Sequence, residues 1–249
     1  MYINRIGGAG GKNLVALRAA MKALGPSLLL DADLVSGNDG DAIQTWADDS
    51  GNSLNFSQGT TGYRPVLKKA ANGINGHNVL RFDGADDYLS GPNLSTFIAA
   101  AADTYWVVFK VYNITTNDTG VIYYNDTALA GAYNWGIVFL TSSGAVAFIY
   151  DTSSTYKTVA KSISTSAPYI ARARHSSGNL YFLVNGGSEG SVAAGDVKYL
   201  STAALLGVDN LIMNFTQIDI AEVIVFNSAL SSANMAIVDA YLKAKYATY

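Results

Sequence analysis

From Thr104 to Gly187 the chain repeats one arrangement: a short run of aromatic and β-branched residues, then a cluster of turn formers. The runs are TYWVVFKVY (104–112), GVIYY (120–124), WGIVFLT (135–141), AVAFIY (145–150), YIARARH (169–175) and LYFLVNGG (180–187). Each is short and rich in residues that fit a pleated surface. With Asn-Asp, Ser-Ser-Gly and Asn-Gly between them, they describe the strands of an antiparallel sandwich. In YIARARH, Arg172 and Arg174 alternate with alanines, which predicts one wet face. Asn185-Gly186 suits a type I′ turn, whose central residues both need positive φ. Hydrophobic residues make up 49% of the 249 and charged ones 14%. That balance belongs to a chain with a filled core.

The two ends read as helices. Arg5, Lys12, Arg18 and Lys22 precede the first acidic residue, Asp31. Leu14, Leu17, Met21 and Leu24 recur at helical spacing, and Gly25-Pro26 stops the pattern. The expectation is a glycine-rich arm and a short amphipathic helix over 1–26, ahead of a β domain over 27–249. Two readings stay open: the helix packs on its own domain, or it attaches to a partner through Arg5, Lys12, Leu14, Leu17, Arg18, Met21 and Lys22. At the other end Ser231 or Ser232 suits an N-cap. Met235, Val238, Leu242 and the aliphatic stem of Lys245 follow on one face.

Several function classes drop out. The chain has no cysteine, which removes disulfides, thiolate chemistry and cysteine-based zinc sites. Its two histidines, His77 and His175, are too few for a His-rich metal site. A net charge of −3 argues against nucleic acid as a partner. No run of about 18 apolar residues predicts a membrane span. The start, MYINRIGGAGGKN, lacks the apolar stretch of a secretory leader, so a soluble protein is expected. GGAGGK (7–12) has the wrong glycine spacing for a phosphate-binding loop, and Asn13 stands where Ser or Thr belongs.

Carboxylates offer the remaining chemistry. RFDGADDYL (81–89) sets Asp83, Asp86 and Asp87 around Gly84, between apolar strand ends. Asp accepts from turn amides and Gly takes positive φ freely, so a tight connection is the first reading. A calcium ion held by Asp83, Asp86 and Asp87 is the alternative; it needs six to eight oxygens, and the spacing is not that of an EF-hand. QIDIAE (217–222) resembles the E-x-D-x-x-E strand of glucanases but lacks the first acid. Parity also places Glu222 opposite Gln217 and Asp219, absent a bulge. Two flanking carboxylates are required for glycoside hydrolysis, so the expectation is no enzyme.

Three segments taken in order carry a resemblance: LLLDADLVSGNDGDAIQTWADDSGN (28–52), PVLKKAANGINGHNVLRFDGADDYL (65–89) and IDIAEVIVFNSALSSANMAIVDAYLKAKY (218–246). Together they resemble the laminin-G-like, concanavalin A-like jelly-roll modules of bacteriophage virion and bacterial surface proteins. The resemblance implies an all-β, concanavalin A-like antiparallel β-sandwich (jelly roll) with a short N-terminal helix and a C-terminal helix. Trp46, in TWADDSGN, is expected as a core plug whose indole N–H finds a partner.

The texture, rich in Gly, Ser, Thr, Asn and Tyr, also resembles phage virion proteins. That implies a non-enzymatic tail, fibre or capsid-decoration protein, bound to other virion proteins through its N-terminal segment and homo-oligomeric. The alternative it implies is a carbohydrate-binding or adhesion module at a bacterial cell surface. A host-surface glycan would meet YYNDTALAGAYNW (123–135), where Tyr123, Tyr124, Tyr133 and Trp135 stand beside Asn125, Asp126 and Asn134. Those aromatics also suit core or inter-subunit packing. No cofactor is expected besides the calcium considered above.

Overall fold

The computed structural model of the protein describes residues 9–114, 119–125, 133–140, 144–150, 155–197, 203–208, 212 and 214–247. The chain begins with α1 (Ala9–Lys22), β1 (Leu28–Asp31), β2 (Thr45–Trp46), β3 (Phe56–Ser57), β4 (Val66–Lys68) and β5 (Val79–Asp83). Next come β6 (Leu89–Asn93), β7 (Asp103–Val111), β8 (Thr119–Asn125), β9 (Tyr133–Leu140), β10 (Gly144–Tyr150) and β11 (Tyr156–Lys161). It closes with β12 (Pro168–Ser176), β13 (Asn179–Val184), β14 (Gly190–Ala193), β15 (Ala203–Leu206), β16 (Gln217–Phe226) and α2 (Ser232–Tyr246).

These strands build two antiparallel sheets. The first runs β14-β13-β12-β7-β16-β5-β4, and β1 pairs with β16 where β5 leaves off. The second runs β11-β10-β9-β8-β15-β6-β3-β2. The expected all-β sandwich with a helix at each end is the fold observed. Among the described residues no helix is long and apolar enough to cross a membrane.

Two cores flank the first sheet, one on each face. Tyr105, Val107 and Phe109 of β7 point between the sheets, with Trp46, Phe56 and Phe82. Trp106 and Val108 point the other way, into a second core with Met21 of α1 and Met235, Val238 and Leu242 of α2. Covered on both faces, β7 and β16 lose the polar alternation of a half-wet strand and read as nearly unbroken apolar runs. The helices therefore add a third layer outside the first sheet.

Local expectations fare unevenly. Ser231 caps α2, accepting from the Asn234 amide at 3.2 Å. Asn185 and Gly186 have φ of 47° and 64°, and the Gly187 amide donates to the Val184 carbonyl at 3.0 Å, a type I′ turn. The helix α1 starts at Ala9, so Gly10 and Gly11, expected in a flexible arm, are helical. The predicted wet face of β12 is not wet. Arg172 and Arg174 are only 12% and 18% exposed, because Glu189 bridges both and Asp239 of α2 takes Arg172. Alternation marks a second face correctly, yet it is α2 and a carboxylate, not water, that meet it.

Candidate functional site

The acidic turn between β5 and β6 is built by its own side chains. Asp83 Oδ1 accepts from the amides of Ala85, Asp86 and Asp87 at 2.8, 3.2 and 3.4 Å. Asp87 Oδ2 accepts in return from the Asp83 amide at 3.0 Å. Gly84 has φ of +79°, and a Cβ there would lie 2.8 Å from the Gln217 amide nitrogen, so glycine is needed twice over. The connection is thus the tight turn that the first reading expected. Its three carboxylates still offer oxygens within 4.8 Å of one another. Two oxygens are already committed to backbone amides, so a calcium ion would draw on the remaining carboxylate oxygens and on water. Burial, and then the charges of Asp83 and Asp86, push the Asp87 carboxyl up to about 7, against the opposing hydrogen bond from the Asp83 amide.

Beside this turn three rings stand in series. Tyr63 and Tyr88 have centroids 6.3 Å apart at 32°, and Tyr88 and Phe215 are 6.5 Å apart at 47°. The Tyr88 amide donates to the Tyr63 carbonyl at 3.1 Å, which ties the two loops together. Phe215 arrives because Gln217 pairs with Asp83 at the start of β16, and Phe215 bridges Val208 across its own loop. Tyr63 is 43% exposed, and Tyr88 and Phe215 are half-buried. Half-open rings beside carboxylates can stack on the C–H face of a sugar while acidic oxygens take its hydroxyls. In the sequence Tyr88 stands only as a strand end, and nothing marks Tyr63 or Phe215. The adjacency of Tyr88 to three aspartates was the one signal available; the other rings come from distant loops.

The glucanase-like strand shows a different use of acids. A bulge between Ile220 and Glu222 overturns the parity objection: Asp219 and Glu222 share the face outside the sandwich. Both are fully buried there. Arg81 grips Asp219 with Nε at 2.7 Å and Nη2 at 2.8 Å, and the Tyr112 hydroxyl donates at 2.7 Å. Glu222 accepts from Tyr241 at 2.9 Å, Lys245 at 2.9 Å and Tyr246 at 2.8 Å, all on α2. Gln217 is exposed. Each carboxylate is enclosed by these partners at 0% exposure.

The remaining predicted residues divide. The backbone pairs Tyr123 with Gly136, Tyr124 with Trp135 and Asn125 with Tyr133 across β8 and β9. The side chains of Tyr123, Tyr124, Asn125, Tyr133, Asn134 and Trp135, and Asp126 entirely, lie outside the described residues, as do Arg5 and the side chain of Lys12. In α1, Met21 is fully buried and Leu14 and Leu17 pack on the same core. Arg18 reaches Asp31 at 3.2 Å and Asp49 at 2.9 Å, and Lys22 reaches Asp49 at 2.8 Å. Trp46 sits in the core as expected, but among the described residues its indole N–H has no partner.

No family model matches the chain, and no curated protein matches it. Solved structures do. The botulinum neurotoxin serotype D ligand-binding domain, solved with N-acetylneuraminic acid, aligns over 90% of this chain and 52% of that one, with TM-score 0.64 and 14% identity. The binding domain of Paraclostridial Mosquitocidal Protein 1 aligns over 89% and 52%, with TM-score 0.63 and 12% identity. Trypanosoma rangeli sialidase in complex with sialic acid aligns over 94% and 38%, with TM-score 0.63 and 10% identity. The chain spans about half the length of the first two. At these identities the likeness establishes the fold alone, a β-rich sandwich.

Proposed function

We propose that this chain is a lectin-like binding module that holds a glycan along Tyr63, Tyr88 and Phe215, with Asp83 and Asp86 accepting from sugar hydroxyls. The observation that carries the reading is three partly open rings in series beside those carboxylates. Two neighbours that share the fold are binding domains, one of them solved with N-acetylneuraminic acid. Without calcium, the acidic turn favours a neutral sugar over an anionic one, because like charges repel at short range. The engagement of Asp219 and Glu222 by Arg81, Tyr112 and α2 supports a non-catalytic role. Membership of the laminin-G-like modules, and a place on a phage particle, rest on the ordered sequence motifs and the residue texture. Mass spectrometry of purified particles tests that placement.

The binding itself is tested on a glycan array, with and without chelator, followed by titration of the best glycan. Tyr63→Ala is expected to weaken binding about tenfold, the equivalent of about 1.4 kcal/mol for one lost stacking surface, without moving the melting temperature. Wild-type protein that binds no glycan, or a Tyr63→Ala variant that binds as well, would end this reading. Loss of binding in chelator would assign calcium to the turn.

A further inference from the structure

Where the chain leaves β1 and turns past β2, the surface opens into a pocket of about 360 Å³ lined by Leu34, Val35, Ile43, Gln44, Thr45 and Trp46, among others. That volume lies at the small end of the range for ligand sites, about 300–1,000 Å³. Its lining carries two unusual features. Leu34 is 56% exposed, a large apolar side chain left uncovered beside the apolar walls of Val35 and Ile43. Trp46 is fully buried, yet among the described residues its indole N–H meets no acceptor. An orphaned buried donor costs about 1–3 kcal/mol. The contrast within the same fold is Trp106, whose indole N–H donates to Asp239 at 2.8 Å.

The one charged group at the pocket is already engaged. Asp31 binds Lys245 at 2.8 Å and Arg18 at 3.2 Å, and it accepts from the Asp33 amide at 3.0 Å. The rest of the polar lining, Ser36, Gln44 and Thr45, is neutral. The matching occupant is small and uncharged, with a strong acceptor next to an apolar group.

We propose that this pocket is a second site, taking the acetamido group of an N-acetylated sugar. Its methyl packs on Leu34, Val35 and Ile43, and its carbonyl oxygen accepts from the Trp46 indole. The indole N–H is closed to solvent, so binding requires the Gln44–Thr45 wall to part. That wall belongs to the edge strand of its sheet. β2 is two residues long, pairing through Thr45 with Ser57 and Trp46 with Phe56, while the Gln44 carbonyl accepts from the Gln58 amide at 2.9 Å and the Ile43 amide donates to the Pro65 carbonyl at 2.9 Å. The site shares no residue with the Tyr63–Tyr88–Phe215 strip and does not depend on it.

The test is an NMR titration of ¹⁵N-labelled protein with N-acetylglucosamine, and with glucose as the sugar lacking an acetamido group. The Trp46 indole resonance, assigned by its absence in Trp46→Phe, is expected to shift saturably with N-acetylglucosamine and to stay put with glucose. Trp46→Phe should keep its dispersed spectrum while losing about tenfold in affinity, the value of one hydrogen bond. Ile43→Trp, which fills the pocket, should abolish the shift. Absence of a saturable shift would overturn the proposal, and so would an equal response to glucose or unchanged binding by Ile43→Trp. Tyr63→Ala should leave this titration unaltered, so the two sites succeed or fail separately.

Discussion

Asp87 shows how a single side chain can set a pH dependence for the whole fold. An aspartate in an unfolded chain titrates near 3.9, whereas burial and the neighbouring charges of Asp83 and Asp86 push Asp87 up to about 7. Between those values the folded state holds a proton that the unfolded state has released. The stabilisation from this group is therefore complete below about pH 4 and is lost as pH rises through about 7. Asp87→Asn removes the dependence and keeps an oxygen for the Asp83 amide. In thermal melts the variant should be more stable than wild type at pH 8, with the gap closing toward pH 4. A gap that does not change with pH would show that Asp87 is not held protonated. Calcium enters with opposite sign: an ion at the turn would lower the cost of ionised carboxylates, so it should raise the wild-type melting point at pH 8 more than the variant's.

At the scale of elements, α2 is fastened by charge as much as by its apolar face. Lys245 is nearly sealed, with its ammonium 2.8 Å from Asp31, 2.9 Å from Glu222 and 3.3 Å from Asp33. Burial alone would lower its pKa, but Glu222, Tyr246 and Asp31 outweigh that and hold it well above the usual lysine value. Lys245→Met should lose about 3–5 kcal/mol in urea unfolding, since it leaves buried carboxylates uncompensated, and adding Glu222→Gln should return part of the loss. A Lys245→Met protein as stable as wild type would mean that the ion pair adds nothing net. This helix, its cap and its apolar face are legible in the sequence, because those signals are local. Lys245 is legible there only as an aliphatic stem, because the partners of the ammonium lie 23 and 214 positions away. The same distinction runs through the candidate site. The turn at Asp83 was legible since its bonds span two to four residues, whereas the bulge at β16 and the Tyr63–Phe215 strip arise only when strands pair.

For the molecule as a whole, the question is whether the first 26 residues are a detachable arm. Met21 is fully buried in the core that α2 and the first sheet share, and Leu14, Leu17 and Leu24 pack around it. Arg18 and Lys22 meet Asp49, and Arg18 also meets Asp31. Cutting the chain before Pro26 therefore uncovers apolar surface and strips cations from Asp31 and Asp49 in one step. Burying Met21 alone contributes about 1.5–3 kcal/mol. The truncated protein should melt lower by at least about 4–8 °C, the shift that about 2 kcal/mol produces in a domain of this size. Equal melting points would show that α1 adds no stability to the β body. A truncation that also failed to assemble with partners would confound attachment with folding. Val15, 64% exposed on the outer side of α1, separates the two. Val15→Glu should leave the melting temperature within about 1 °C, as surface changes usually do. If α1 is an attachment surface as well as a packed layer, the same variant should reduce incorporation into particles; normal incorporation would leave α1 with its structural role alone.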